Sequence, residues 1–418
     1  MTTPSSPDFD PATSEYTAEE EAARDAQRRQ RRRRVLLGAF LFVLAALALV
    51  PIWPWLLPAF IYEGPFLQNM RGTSVDVIWY LSRPTSAALT VELEGRSPIV
   101  ARCEGKRCAA TLDELPLDTE LPYRIRLAGR TLAADRLHTP RSPEAVWTFA
   151  VFGDSGKGTR AQYLLARRIT AAEPHFVVHT GDLIYSRGER YLYRERFFEP
   201  YAALLRRAVF WPCVGNHDVF PPVEDSPFFA VFELPENGPP GVPTEQCYWF
   251  DYANARFVVI NSELDEQVLA RQVAPWVAQV LGDETATWRF VVLHRPPYTA
   301  GKHPPRLQIQ RALGPTFENA GVDVVFSGHD HMYERTWPVR DHRRSPDGTG
   351  PVYVVSGAGG ARLYEALPLD ERPDYIAVLN NEVFSFTFLE ISGPRLRLKQ
   401  IDLDGNVIDD WTLEKPVE

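Results

Sequence analysis

Five apolar segments of this chain, each of strand length, end directly in side chains that can bind a metal ion. These side chains are Asp154, Asp182 with Tyr185, Asn216 with His217, His294, and His329 with His331. Glycine precedes the polar residue in four of the five segments, and it allows the conformations and close approach that a tight turn needs. In an open parallel sheet, ligands bind beyond the carboxyl ends of the strands. The pattern therefore predicts strand ends that meet at one site.

Segments of helix length separate the apolar runs, at 160–173, 189–207, 266–281 and 306–320. Alternation of strands and helices indicates βαβ units. The runs are continuous rather than alternating, as expected for strands buried on both faces. Further strands are predicted at 255–262 and 351–360, and antiparallel strands after Val383 close the fold. We predict an α/β (α+β) sandwich of β-sheets flanked by helices over residues 146–418.

The set of predicted ligands is rich in hard oxygen and imidazole donors. It comprises Asp154, Asp182, Tyr185, Asn216, His294, His329 and His331. A single loop histidine is usually an ordinary polar residue, but His329 and His331 are two residues apart and face the same way on an extended segment. Seven donors exceed the needs of one zinc ion and suit two ions that share a carboxylate. Such a pair can clamp a phosphoryl group and generate hydroxide.

The motifs GD, GDxxY, GNHD, VxxH and GHxH occur in this order and resemble those of the calcineurin-like metallophosphoesterases. Three stretches, GDLIY, HRPPYTAGKH and GHDHMYERT, resemble more narrowly the purple acid phosphatases. The resemblance extends from Trp147 to Gly360 and lacks no ligand type.

The resemblance implies a role for each of these residues. A first ion, ferric iron in the family, would be held by Asp154, Asp182, Tyr185 and His331, with Asp182 as the bridge. A second ion, divalent iron, zinc or manganese, would be held by Asn216, His294 and His329. His217 would lie near the phosphate and the leaving group, and His303 matches a histidine on the substrate side.

The function implied is hydrolysis of small phosphate monoesters by attack of a metal-bound hydroxide, with His217 able to donate a proton to the leaving group. Two alternatives stay open: a phosphodiesterase or phospholipase on the same metal pair, and a non-catalytic tethered protein that binds a partner. The loops 220–246 and 300–306 are expected to line the mouth of the site. The sequences of these loops do not indicate which substrate binds. The oligomeric state is not predicted.

The N-terminal sequence suggests export. Residues 1–34 are predicted to be a disordered cytoplasmic tail, and residues 35–57 carry no charge and are long enough to span a bilayer. The arginines before this run would keep the tail in the cytoplasm and place the catalytic body outside it, in a periplasmic or extracellular location. A cleaved signal is the alternative, since Ala46-Leu47-Ala48 resembles a cleavage site, and the body would then be secreted.

Charge and cysteines agree with an exported body. The tail holds seven acidic residues and seven arginines, so the net charge of −9 belongs to the remainder, which argues against a general nucleic-acid binder. Cys103 and Cys108 are predicted to form a small disulfide-closed loop. Cys213 and Cys247 either pair or remain buried thiols.

Residues 63–142 have a different hydrophobic pattern from the rest of the chain. Short alternating runs separated by Pro, Gly and charged residues predict a small β-sandwich. This segment resembles the fibronectin type III-like domain that precedes the catalytic domain of larger purple acid phosphatases.

Overall fold

The first described element is a long helix that includes residues 11–34 of the predicted disordered tail, and residues 1–10 of that tail lie outside the described ranges. The computed structural model describes residues 11–49, 58–220, 223–282 and 285–416. Helix α1 spans Pro11–Leu49, and its first half is rich in Ala, Glu, Gln and Arg, which favour helices most. Acidic and basic residues four apart, such as Asp25 and Arg29, favour the helix further.

The transmembrane segment predicted at 35–57 is not supported. Among the described residues, no helix combines sufficient length with sufficient apolar character to cross a membrane. Residues 50–57 of the predicted span lie outside the described ranges.

The remainder of the chain, Phe60–Glu418, forms a compact unit of its own. Its first eight strands are β1 (Ile61–Arg71), β2 (Ser74–Leu81), β3 (Leu89–Leu93), β4 (Ile99–Val100), β5 (Arg102–Glu104), β6 (Arg107–Leu112), β7 (Glu120–Leu127) and β8 (Arg130–His138). The later strands are β9 (Trp147–Phe152), β10 (Phe176–His179), β11 (Val209–Pro212), β12 (Tyr248–Tyr252), β13 (Ala255–Ile260), β14 (Trp288–Leu293), β15 (Val324–Ser327), β16 (Tyr333–Thr336), β17 (Val339–Arg340), β18 (Arg343–Arg344), β19 (Val352–Ser356), β20 (Ile376–Asn380), β21 (Ser385–Ser392), β22 (Arg395–Asp402) and β23 (Val407–Glu414).

Helices occupy the connections between the later strands. They are α2 (Arg160–Ala171), α3 (Ala202–Leu205), α4 (Pro227–Val231), α5 (Glu266–Val268), α6 (Ala274–Leu281) and α7 (Leu307–Asn319). The segment 189–207, predicted as one helix, is instead a 3₁₀ turn, a π-helical turn and the short α3. Pro200 interrupts it, because proline has no N–H to donate within a helix.

Two large sheets carry the fold. The first has the strand order β23-β22-β21-β9-β10-β11-β1-β2-β6-β5, and the second has the order β12-β13-β14-β15-β19-β16-β20. Strands β9, β10 and β11 are mutually parallel, and so are β13, β14, β15 and β19. Two smaller sheets are β4-β3-β7-β8 and β17-β18. The predicted α/β sandwich is confirmed.

Aromatic side chains join the two large sheets. Phe149 on β9 lies 5.3 Å from Phe257 on β13 and 5.6 Å from Phe290 on β14, measured between ring centroids. Trp211 on β11 stacks on Phe250 of β12 at 4.0 Å. Rings at these separations contribute beyond their buried area. The packing therefore fixes how the carboxyl ends of the two parallel sets face each other.

Residues 63–142 do not form a separate unit, so the fibronectin type III-like assignment is not supported. The predicted short strands are present. However, β1 pairs with β11 in parallel at Leu67 and Val209, which continues the first large sheet into this segment. Gln68 reinforces the junction, because its amide donates to the Phe210 carbonyl at 2.6 Å.

The structure contains the disulfide expected between Cys103 and Cys108, and it decides between the two alternatives for Cys213 and Cys247. Cys103 and Cys108 form a disulfide across the β5–β6 hairpin. Cys213 and Cys247 are both buried and free.

Two histidines pack together where residues 63–142 meet the later strands. The ring of His138, at the end of β8, lies 5.2 Å from that of His175, which precedes β10. The Nδ1 atom of His175 accepts the Thr148 N–H at 3.1 Å. Burial, and then the neighbouring His138, lowers the pKa of His175 to about 4. His138 has a lowered pKa as well, mainly through burial.

These histidines predict a loss of stability in acid. A folded-state pKa below the unfolded value of about 6.5 favours the neutral ring in the folded state. Its stabilisation is complete above about pH 6.5 and is lost as the pH falls towards 4. We expect His175→Asn, whose side-chain oxygen can replace Nδ1 as acceptor, to flatten the pH dependence of the unfolding free energy over this range, measured by urea denaturation. A wild-type slope in the variant would contradict the prediction, and His342→Asn, at an exposed histidine, controls for the substitution itself.

Candidate metal centre

The carboxyl ends of five parallel strands carry the predicted ligands to one place. Asp154 follows β9, Asp182 follows β10, and Asn216 follows β11, while His294 follows β14 and His329 follows β15. Backbone hydrogen bonds continue past the strands, so that Asp154 N donates to Gly181 O at 3.0 Å and Gly328 N donates to His294 O at 2.9 Å. The turns of neighbouring strands are therefore fixed to one another.

Three of these residues have a strained backbone. Asp154, Asp182 and His329 adopt φ values of 57°, 59° and 69°, in a region that non-glycine residues rarely use. Such strain concentrates at functional sites, where the surrounding structure enforces it. Gly215 shows how tight the turns are, because a Cβ there would lie 2.2 Å from the Asp182 nitrogen. The glycines before the ligands are needed for this close approach.

Tyr185, Asp154 and His331 form one side of the cluster. The Tyr185 hydroxyl lies 3.2 Å from Asp154 Oδ1 and 2.9 Å from His331 Nε2. His331 Nε2 lies 3.5 Å from the same Asp154 oxygen. All three side chains are buried, which raises the pKa of Tyr185 well above its usual value, with further increments from Asp154 and Asp182.

Asp182, His294 and Asn216 form the other side. His294 Nε2 lies 3.4 Å from Asp182 Oδ1 and 3.1 Å from Asn216 Oδ1. Asp154, Asp182 and His294 each offer a ligand atom, and these atoms lie within 4.8 Å of one another. Asp182 therefore lies between the Tyr185 side and the Asn216 side, where a bridging ligand would be needed.

The histidine tautomers suit metal ions. His294 Nδ1 donates to the Thr180 carbonyl at 2.8 Å, and His331 Nδ1 donates to the Arg362 carbonyl at 2.7 Å. Metal-binding histidines are usually held in this way, since the bond orients the other nitrogen. Each Nε2 then faces carboxylate oxygens. Burial lowers the pKa of both rings, but the nearby aspartates outweigh it and raise the net pKa, so a positive charge is favoured here.

His329 and the two predicted catalytic histidines lie at the edge of the cluster. The His329 N–H donates to Asp154 Oδ2 at 2.9 Å, but its Nε2 lies 3.1 Å from an Arg295 nitrogen. Burial and then His294 lower its pKa. The His303 ring lies 4.3 Å from that of His329. His217 is about one-third exposed, and its backbone N–H donates to Asp182 Oδ1 at 2.9 Å.

The sequence does not reveal how Asp218 supports the site. Its buried carboxylate accepts the N–H groups of Asp182, Leu183, Ile184 and Gly215 at 2.7–3.1 Å. Burial and the nearby Asp182 raise the pKa of Asp218, and the N–H donors oppose that rise because they stabilise the ionised form. Asp218 thus builds the turn that carries Asp182 and Tyr185.

Three more residues at the site have no sequence signal that distinguishes them. The Tyr364 ring stacks on His331 with centroids 3.9 Å apart. Lys302 lies 4.5 Å from the centroid of Tyr364, and Lys157 lies 4.4 Å from that of Tyr185. Both lysines are exposed, and among the described residues neither has a carboxylate within 4.0 Å. They add positive charge at the rim.

The residues present fit two metal ions. The cluster offers carboxylate, phenol, amide and imidazole donors, which suit hard and borderline cations, and it includes no thiol. Buried carboxylates normally need a cationic partner. Asp154 and Asp182 have no lysine or arginine within 4.0 Å in the described part of the chain, only histidines.

Two sequence families that match this chain agree with a metal-dependent phosphoesterase site. The calcineurin-like phosphoesterase family matches residues 148–333, and the family described as "iron/zinc purple acid phosphatase-like protein C" matches residues 350–410. Human acid phosphatase type 7 is 25% identical over 82% of this chain and 88% of its own length. Purple acid phosphatase 22 of Arabidopsis thaliana is 28% identical over 66% of this chain, which spans 64% of that relative.

A solved structure supports the fold. The purple acid phosphatase PPD1 from yellow lupin (Lupinus luteus) seeds superposes with a TM-score of 0.71, covering 85% of this chain and 74% of the lupin chain. The two chains are 20% identical. This likeness is one of architecture.

Asp218 gives a direct test of how the site is built. Asp218→Asn would place an amide against two of the four N–H donors, and each buried donor left unpaired costs about 1–3 kcal/mol. We expect a loss of at least about 2 kcal/mol in urea unfolding, together with weaker metal retention. Asp370→Asn, at an exposed residue, should leave both unchanged. Wild-type stability in Asp218→Asn would show that the carboxylate does not hold this turn.

Proposed function

We propose that this chain, which belongs to the calcineurin-like phosphoesterases and is an acid phosphatase-like metallophosphoesterase, hydrolyses phosphate monoesters with two metal ions. The observation that carries the proposal is that ligand atoms of Asp154, Asp182 and His294 lie within 4.8 Å of one another. Tyr185 and His331 adjoin Asp154 on one side of this group, and Asn216 adjoins His294 on the other.

The proposed ligand sets follow these two sides. Asp154, Asp182, Tyr185 and His331 would hold a ferric ion, since anionic oxygens suit a trivalent cation. Asp182, Asn216, His294 and His329 would hold divalent iron, zinc or manganese. His329 would take part through Nδ1, since its Nε2 lies 3.1 Å from an Arg295 nitrogen. When bound, such ions supply Lewis-acid activation of water and of phosphoryl oxygens.

His217 is proposed to serve the leaving group. Its Nδ1 lies 2.6 Å from the Ser186 carbonyl, which fixes the ring and leaves Nε2 free. That Nε2 lies 3.9 Å from Asp182 Oδ2, beside the metal cluster. A partly exposed imidazole at this place can donate a proton to a departing alkoxide.

The rim is proposed to attract small anionic substrates. Lys157 and Lys302 lie on opposite ends of a row of rings formed by Tyr185, His331 and Tyr364. Positive charge at the mouth of a site raises the local concentration of phosphorylated molecules.

We further propose that the catalytic body lies outside the cytoplasm. The Cys103–Cys108 disulfide supports this, since disulfides persist in oxidising compartments. Attachment to a membrane through residues 35–57 rests on the uncharged run and the preceding arginines alone.

The purified chain tests the function. We expect two metal ions per active chain by elemental analysis, and p-nitrophenyl phosphate to be hydrolysed faster than bis-p-nitrophenyl phosphate. Preference for the diester would favour a phosphodiesterase or phospholipase on the same metals. A metal-loaded chain without activity on either compound would favour a non-catalytic binding protein. One ion per active chain would contradict the dinuclear centre.

Tyr185 tests the identity of the first ion. A phenolate bound to ferric iron gives a visible charge-transfer band, and Tyr185→Phe removes the oxygen while it keeps the ring. We expect the colour to vanish and some activity to remain, because the other six ligands are unchanged. Iron content must be measured on the same sample. A variant with full iron and an unchanged visible spectrum would show that Tyr185 is not a ligand.

A further inference from the structure

A buried carboxylate beneath the site has no metal-binding role assigned to it. Asp330 lies between His329 and His331 in GHDH, yet its side chain is fully buried and points to a different loop. Its Oδ2 accepts the Thr299 hydroxyl at 2.9 Å. Its Oδ1 lies 3.0 Å from the His303 backbone nitrogen and 2.9 Å from His303 Nδ1. All three contacts are with the loop 299–303.

The loop is shaped around this carboxylate. A Cβ at Gly301 would lie 2.5 Å from Asp330 Cγ, so only glycine lets the chain pass here. A second buried acid, Glu334, accepts the Ala300 N–H at 2.9 Å, and the Leu367 N–H donates to the Ala300 carbonyl at 2.8 Å. The loop is therefore anchored at nearly every residue up to His303.

Burial of Asp330 is costly unless the carboxylate is paired. Among the described residues its only ion-pair partner within 4.0 Å is His303, and no lysine or arginine approaches it. Packing alone does not require this arrangement, since an apolar side chain would fill the same space. It would, however, leave the Thr299 hydroxyl, the His303 backbone N–H and the His303 imidazole without an acceptor, and of these three only the imidazole is a possible cation.

His303 is held with one nitrogen inward and one free. Nδ1 faces Asp330, while Nε2 has no hydrogen-bond partner among the residues that the structure describes. The side chain is 34% exposed and stacks obliquely on His329, with centroids 4.3 Å apart. An acidic acceptor at Nδ1 fixes the hydrogen there, whether the ring is neutral or charged. Nε2 is then always the nitrogen available to a bound molecule.

We infer that Asp330 is the positioning residue for His303, the histidine that the family resemblance already places on the substrate side, and that it keeps Nε2 of that ring available to the substrate. The inference rests on the proposed function. Asp330 touches no substrate itself and acts only through the orientation and tautomer of His303. In the GHDH turn, His329 and His331 are the proposed metal ligands, and Asp330 between them holds the loop 299–303.

A double-mutant cycle tests the assignment. With p-nitrophenyl phosphate, we expect Asp330→Asn and His303→Ala each to lower kcat/KM about 10-fold or more. In the His303→Ala background, Asp330→Asn should lower it by less than about 2-fold, because the residue through which it acts is gone. Metal content is measured for every variant. Additive losses at unchanged metal content would overturn the inference.

Asp330→Asn could lose its fold or its metal, so a control variant and a second measurement are needed. Asp402→Asn, at a buried aspartate in the β22–β23 turn, should keep wild-type kcat/KM.

Independently, the wild-type chain loaded with zinc and labelled with ¹⁵N-histidine should show a proton on His303 Nδ1, with the signal assigned by its disappearance in His303→Gln. Added inorganic phosphate should shift Nε2. A ring protonated only on Nε2 would refute the inference even if the enzyme is fully active, and an inactive chain with the expected spectrum would refute the proposed function alone.

Discussion

Three aspartates buried within a few ångströms of one another are the constraint on which the rest of this structure depends. Asp154, Asp182 and Asp218 are almost fully excluded from water, and no lysine or arginine lies within 4.0 Å of them in the described ranges. Buried charge of one sign is strongly unfavourable unless hydrogen bonds and opposite charge offset it. Asp218 is satisfied by four backbone N–H groups. Near Asp154 and Asp182, His294 and His331 carry their hydrogen on Nδ1, so each Nε2 can bind a cation that would offset the charge of the carboxylates.

The turns that follow the strands also help to stabilise the buried carboxylates. Backbone N–H groups reach the carboxylates only because the chain takes left-handed conformations at Asp154, Asp182 and His329, and because glycines let one turn approach the next. The strain is tolerated because two sheets, joined by rings such as Phe149 and Phe257, hold the strand ends rigidly. Packing far from the site thus fixes the positions of the donors.

Much of this could be predicted from sequence, because strand-length apolar runs with polar ends are a local pattern. The convergence of Asp154, Asp182, Tyr185, Asn216 and His294 follows from it. Local patterns do not report side-chain direction, however, so the turn of His329 towards Arg295 was not foreseeable. Tyr364 reaches His331 from a segment without regular secondary structure. The N-terminal strands were predicted correctly as strands, but the pairing of β1 with β11 is non-local and left no periodic signal.

That pairing changes how the polypeptide can be divided. Since β1 adjoins the strand that leads to Asn216, a protease cut in the connection after β8 would leave the two fragments bound through the sheet. Within residues 61–138, strands β1, β2, β5 and β6 extend the first large sheet and the other four strands form a small sheet of their own, so this segment is not an exchangeable module. Insertions or fusions should therefore be tolerated best in the exposed hairpin between β5 and β6, where the disulfide already closes the loop.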